Sequence, residues 1–307
     1  MLHSTIVPLI AVLCFLASSA RADSYSEVPR VKAALEQGRA AEYGIGVRKN
    51  RLLALAFYCD AGTMGSPEGF FRVGRIFATG PRQLRNPALA NAYLALAVRL
   101  GNQEALKYYD PLVVNAPLGD DCGLHASGRE VERFDVDGYL TRVASSRRKI
   151  ALLIRSVARQ YEVSPRLALA IAMVESNLDT NAVSPRHAQG VMQLIPATQK
   201  RFGVTRPFDA KHNVRGALAY LRWLHRRFDG DWRLIVAAYN SGEGSIERHR
   251  GVPPFLETQQ YVRRVLQLAG GAANAQATPI RLGLAGDGLL PQTSRLLATA
   301  PSFSGID

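Results

Sequence analysis

Histidine and cysteine are scarce in this chain, with six and three in 307 residues. Neither type clusters at metal-ligand spacing, so no metal site is expected. Stretches that alternate apolar and polar residues at strand length are missing as well. That absence argues against a sheet and for a nearly all-α architecture. The apolar run at residues 6–16 is too short to span a bilayer. Acidic side chains are the scarcer charge, 25 against 38 Lys and Arg, which leaves a formal charge of +13. In a cytosolic protein that excess would suggest nucleic acid. In an exported one it suggests anionic wall polymer or a membrane surface. The densest basic run, Arg147-Arg148-Lys149, reads as a solvated helix face.

The N-terminus favours export. Small residues follow the apolar run, and Ala20-Arg21-Ala22 fits a signal-peptidase site. Cleavage after Ala22 would leave no stable membrane span and would remove Cys14. Cys14 lacks the small preceding residue that a lipoprotein attachment needs. Cys59 and Cys122 would remain. In an oxidising compartment two thiols can pair; equally, Cys59 can be a buried free thiol on a helix.

An internal repeat follows. At an offset of 36, Gly44, Asn50, Ala54, Phe57, Ala61, Gly65 and Glu68 fall on Gly80, Asn86, Ala90, Tyr93, Ala97, Gly101 and Glu104. Leu52, Leu53, Ala56 and Phe57 recur at helical spacing, as do Leu89, Ala92, Tyr93 and Leu96. Each unit is therefore a helical hairpin with an apolar face that it cannot bury alone. Residues 23–110 resemble the Sel1-like repeats, relatives of the tetratricopeptide repeats, although Ala41 stands where that family usually has an aromatic. Such repeats imply a protein partner. Residues 111–144, rich in Pro, Gly and Asp, read as a linker. Helical patterning resumes at about 145, and residues 270–307 read as a flexible tail.

The chemistry is expected at the end of one helix. Ser164 suits an N-cap and Pro165 the first helical position. Leu167, Ile171 and Val174 then mark a buried stripe. Glu175 falls on its flank in the last turn, before Asn177 and an Asp179-Thr180 turn. Burial disfavours a charged carboxylate there, and so does the negative end of the helix dipole. A carboxyl that keeps its proton is a general acid.

Three further motifs follow: Gly190-Val191-Met192-Gln193-Leu194, Ala238-Tyr239-Asn240-Ser241-Gly242, and Glu257-Thr258-Gln259-Gln260-Tyr261-Val262. With Glu175-Ser176 in first place, their order resembles the soluble, goose-lysozyme-like lytic transglycosylases, from about residue 155 to 265. The resemblance implies a C-terminal lysozyme-like helical catalytic domain at 145–269. It implies periplasmic residence and action on peptidoglycan glycan strands, with no cofactor and no nucleic-acid partner. Glu175 would be the single catalytic acid/base. Ser184, Met192, Gln193, Tyr239 and Asn240 match positions lining the substrate cleft. Tyr261 is either an aromatic whose hydroxyl reaches Glu175 or a core tyrosine. His187 stands where many relatives carry Gly. Two rivals share these residues: a goose-type lysozyme with a second carboxylate holding water, and a non-catalytic glycan-binding scaffold.

Overall fold

The computed structural model describes residues 28–119, 122–124 and 133–270; the expected signal segment and nearly all of the expected tail lie outside them. Among the described residues there are twelve α-helices and no strand, and no helix is long and apolar enough to cross a membrane. The first four are α1 (Pro29–Tyr43), α2 (Arg51–Thr63), α3 (Pro67–Thr79) and α4 (Pro87–Arg99).

The sequence repeat corresponds to matching local structure. Asn50 and Asn86 cap α2 and α4 in the same extended conformation, each side chain accepting from the backbone N–H three residues on. Phe57 and Tyr93 are both buried, as are Ala54, Ala90, Ala61 and Ala97. Gly44 and Gly80 both end helices but differ in conformation: Gly44 is left-handed at φ 76° and Gly80 is not. Helices α2 and α3 approach so closely that a Cβ at Gly69 would collide with the backbone nitrogen of Gly62.

The stretch expected as a linker contains a short helix, α5 (Val136–Arg142), capped by Asp135. Its Tyr139 and Leu140 are buried. Two buried side chains in seven residues give too little periodicity to read from sequence. Phe134 joins them by edge-to-face contacts with Phe57 and Tyr139, at ring separations of 5.4 and 5.2 Å. Cys122 in the same stretch is bonded to Cys59 of α2 across 63 positions. On a chain-entropy basis a closure of that length contributes about 4 kcal/mol.

The remaining helices are α6 (Ser145–Ala158), α7 (Pro165–Ser176), α8 (Pro196–Arg201), α9 (Ala210–Arg227), α10 (Trp232–Ser241), α11 (Glu243–His249) and α12 (Leu256–Leu268). All of these but α8 share one apolar core with α1 to α4, running from Ala40 to Ala269. Helix α1 packs on α7, where the Gln37 amide donates to the Met173 carbonyl at 3.0 Å. Glu36 pairs with Arg147 of α6 and accepts from Asn177 at the end of α7. Helix α2 meets α12 through Asp60–Arg263 at 3.1 Å and a Thr63–Gln260 hydrogen bond at 3.0 Å. Arg264, almost fully buried, donates to the carbonyls of Val174 and Arg30.

Two outcomes are expected. Replacing Cys59 and Cys122 together by Ala should lower stability to urea by about 2–5 kcal/mol, and reduction of the native protein should reproduce most of that loss. Residues 145–270 expressed alone would expose the face of α7 that α1 covers. That fragment should lack a cooperative thermal transition by near-UV circular dichroism, whereas residues 23–307 should show one.

Candidate active site

Helix α7 forms for the reasons its sequence suggests. Ser164 caps it, Pro165 opens it, and Asn177 closes it in a left-handed conformation at φ 49°, which Asn tolerates better than most side chains. Its burial exceeds what a single apolar stripe implies. Every residue from Leu167 to Ser176 is buried, and Glu175 is only 1% exposed. The apolar spacing puts Glu175 on the flank of the stripe, and α1 packs over this helix and closes that flank.

The Glu175 carboxylate is surrounded by donors. Oε1 accepts from the Tyr261 hydroxyl at 2.7 Å and from Arg30 Nη2 at 3.0 Å. Oε2 accepts from Arg30 Nε at 2.7 Å. Three donors and no acceptor match an ionised carboxylate, which can only accept. The two guanidinium contacts make a fork, the strongest pairing available to it. Burial alone would lower the Arg30 pKa, but the charge and hydrogen bond of Glu175, with Tyr261 and Glu257, together outweigh it and hold Arg30 above its ordinary value. Burial, followed by the Glu175 charge, pushes the Tyr261 and Tyr239 phenols well above their ordinary range. Both therefore remain O–H donors at neutral pH.

Arg30 reaches further. Its Nη1 contacts Glu257 Oε1 at 3.1 Å, on a side chain 51% exposed, and its guanidinium lies 4.8 Å from the Tyr261 ring centre. One arginine thus joins a buried carboxylate to a rim carboxylate. The other carboxylates considered from sequence are occupied elsewhere. Glu243 pairs with Arg201 at 2.7 Å and accepts from Tyr220 at 3.1 Å, while Asp179 caps its own turn at Asn181.

The motif after α7 forms a tight loop. Val183 bridges Gln189, and Gln189 bridges Leu194. The Ser176 hydroxyl donates to the Val191 carbonyl at 2.8 Å and so ties the end of α7 to this loop. Gly190 has φ 74°, and a Cβ there would collide with the Pro207 carbonyl oxygen. His187 has φ 58°, a conformation that glycine adopts without strain, in keeping with the glycine of the resemblance.

The expected cleft residues divide by what their side chains do. The Met192 side chain is fully buried, and its carbonyl accepts from the Tyr239 hydroxyl at 2.8 Å. Gln193 donates its amide hydrogens to the Ala182 and Gly190 carbonyls, at 3.0 and 2.8 Å. The Ser184 hydroxyl accepts from the Ala188 N–H at 3.0 Å. Asn240 accepts from the Thr258 hydroxyl at 2.8 Å and lies 3.5 Å from Glu257. Tyr261 thus meets Glu175, Tyr239 lies near enough to feel the Glu175 charge, and Asn240 stands beside Glu257, whereas Gln193 and Ser184 shape the loop.

Two participants were not identified from sequence. Asn213 of α9 is fully buried; its Oδ1 accepts from the Met192 N–H at 2.8 Å and its amide donates to the Gln189 carbonyl at 3.0 Å. Arg30 lies 145 positions from Glu175. Its one local signal is a cation in the first turn of a helix, where the dipole disfavours positive charge.

With this geometry in hand, known proteins supply a comparison. Residues 152–262 match the Transglycosylase SLT domain. Membrane-bound lytic murein transglycosylase D of Escherichia coli strain K12 is 36% identical over 38% of this chain and 30% of its own length. Membrane-bound lytic murein transglycosylase F 1 of Alkalilimnicola ehrlichii is 30% identical over 49% of this chain and 33% of its own. The 70 kDa soluble lytic transglycosylase of Escherichia coli aligns in structure over 77% of this chain and 34% of its own, with 19% identity and a TM-score of 0.36. The chain thus spans about a third of the length of these relatives. The SLT match covers α7 and the loop after it, and it ends one residue beyond Tyr261; Arg30 lies far outside it.

Asn213→Leu should leave two buried backbone groups unpaired and cost about 2–4 kcal/mol. Thermal unfolding should register that loss, and faster proteolysis within residues 183–194 should locate it.

Proposed function

We propose that this protein is a peptidoglycan lytic transglycosylase. The observation that carries the proposal is a single buried carboxyl at the end of α7, with the Tyr261 hydroxyl 2.7 Å from it, inside a segment matching the SLT domain. In its protonated form Glu175 would protonate the glycosidic oxygen of the β-1,4 bond between N-acetylmuramic acid and N-acetylglucosamine. As that bond breaks, oxocarbenium-like charge develops on the muramic ring. The ring's own C6 hydroxyl then attacks C1 and returns its proton to the Glu175 carboxylate. The product is a 1,6-anhydro sugar, and no water is consumed. Tyr261 stabilises the carboxylate between the two proton transfers. Tyr239 and Asn240 stand beside this centre, where their polar groups can hold substrate amides and hydroxyls.

Export to the periplasm belongs to the same reading. Its support is the N-terminal signal pattern and the Cys59–Cys122 bond, since disulfides persist in oxidising compartments. The helical hairpins, read as Sel1-like, would offer a face to a protein partner. Their packing on α7 and α12 gives them a second task, completing the catalytic helix's surroundings.

One observation favours a rival. Glu257, held by Arg30 beside Glu175, is a second carboxylate that could orient water in a lysozyme-like hydrolase. Mass analysis of products from residues 23–307 on peptidoglycan separates the two, with Glu175→Gln as control. Transglycosylation should give muropeptides one water lighter, resistant to borohydride and absent from the control. Reducible products would replace the proposal with hydrolysis, and binding without products would replace it with a scaffold.

A further inference from the structure

The Arg30 contact poses a problem that the catalytic reading leaves open. A general acid must be protonated and must touch the glycosidic oxygen. Here Glu175 is 1% exposed and both of its oxygens are occupied by donors, two of them from Arg30. With the carboxyl buried and both oxygens held, Arg30 has to move for substrate to reach it.

We propose that Arg30 is a built-in guard on the acid, one that glycan must displace for catalysis to begin. The inference rests on Glu175 being the general acid. In the closed arrangement the bidentate guanidinium favours the ionised carboxylate, which has no proton to donate. The displaced position is already marked. Arg30 Nη1 touches Glu257 at the rim, and that side chain is half exposed. Moving outward, the guanidinium would exchange a buried partner for a solvated one without losing its counter-charge. Glu175 would then face Tyr261, Tyr239 and apolar core without a cation at its oxygens. A carboxylate so desolvated takes a proton from solvent water and becomes the acid. The remaining charged or titratable neighbours are Glu257 of α12, the two phenols, and Arg264, whose guanidinium is committed to the Val174 and Arg30 carbonyls and faces Asp60 at 4.0 Å. A resting enzyme that is both closed and unprotonated would be protected from cleaving glycan on casual contact.

The test compares residues 23–307 carrying Arg30→Ala or Arg30→Lys with the native protein, all first shown to be folded by circular dichroism. Removing the fork should free the Glu175 oxygens for the glycan. Arg30→Ala should therefore raise kcat/KM about tenfold. Arg30→Lys, a point charge without the fork, should fall between. Carbodiimide labelling of Glu175 in the absence of glycan, read by peptide mass, should be about tenfold faster in Arg30→Ala. Loss of activity in a folded Arg30→Ala protein would overturn the proposal and make Arg30 a positioning residue. Equal labelling in the three proteins would also overturn it. If the native protein released no product from peptidoglycan, the catalytic reading would fail, while the labelling would still decide whether Arg30 shields Glu175.

Discussion

A carboxylate taken out of water costs several kcal/mol unless opposite charge meets it at close range, and much of this molecule is arranged around that constraint. Glu175 lies in a helix buried along its length. Its last turn would be an unfavourable place for a negative charge without a counter-ion. The counter-ion comes from Arg30 on α1, and Tyr261 on α12 supplies the third donor. For Arg30 to stand there, α1 must lie on α7. Gln37, Glu36 and the buried Arg264 fix that packing by tying the two helices to each other and to α6 and α12.

The helical hairpins share one apolar core with the later helices, and α1 finishes the burial of α7. The Cys59–Cys122 bond reinforces it by pinning α2, the partner of α1, to the stretch that leads into α5. Phe134 and Tyr139 continue that reinforcement as an aromatic ladder beneath Asn177, whose amide donates to the Tyr139 hydroxyl at 2.6 Å.

The loop after α7 is rigid for a different reason. Backbone groups that cannot pair in a strand or a helix are met by Asn213, Gln193, Ser184 and Ser176. These side chains spend their polar groups on the loop itself. Tyr239 joins them by donating to the Met192 carbonyl, whereas Tyr261 donates to Glu175 and Asn240 lies beside the rim carboxylate of Glu257.

Local chemistry made much of this legible in the sequence. Caps, prolines and apolar spacing marked α7 and its end, because those signals act within a few residues. The 36-residue offset marked α2 and α4, because identical hairpins need identical caps and identical buried positions. The motif order set Glu175 and Tyr261 86 positions apart as expected neighbours, and the fold joins them by a hydrogen bond. Other features depended on contacts between distant segments, and no local pattern encodes those. Cys59 had two equally sound readings until folding brought Cys122 beside it. Asn213 looked like one more polar residue on an amphipathic helix. Arg30 carries only the weak local signal of a cation in a first turn, and it is the partner of Glu175 only because α1 lies over α7. The sequence by itself determined that a carboxyl stands in the last turn of α7; tertiary packing decided what covers it and what holds its charge, because burial and pairing depend on neighbours in space.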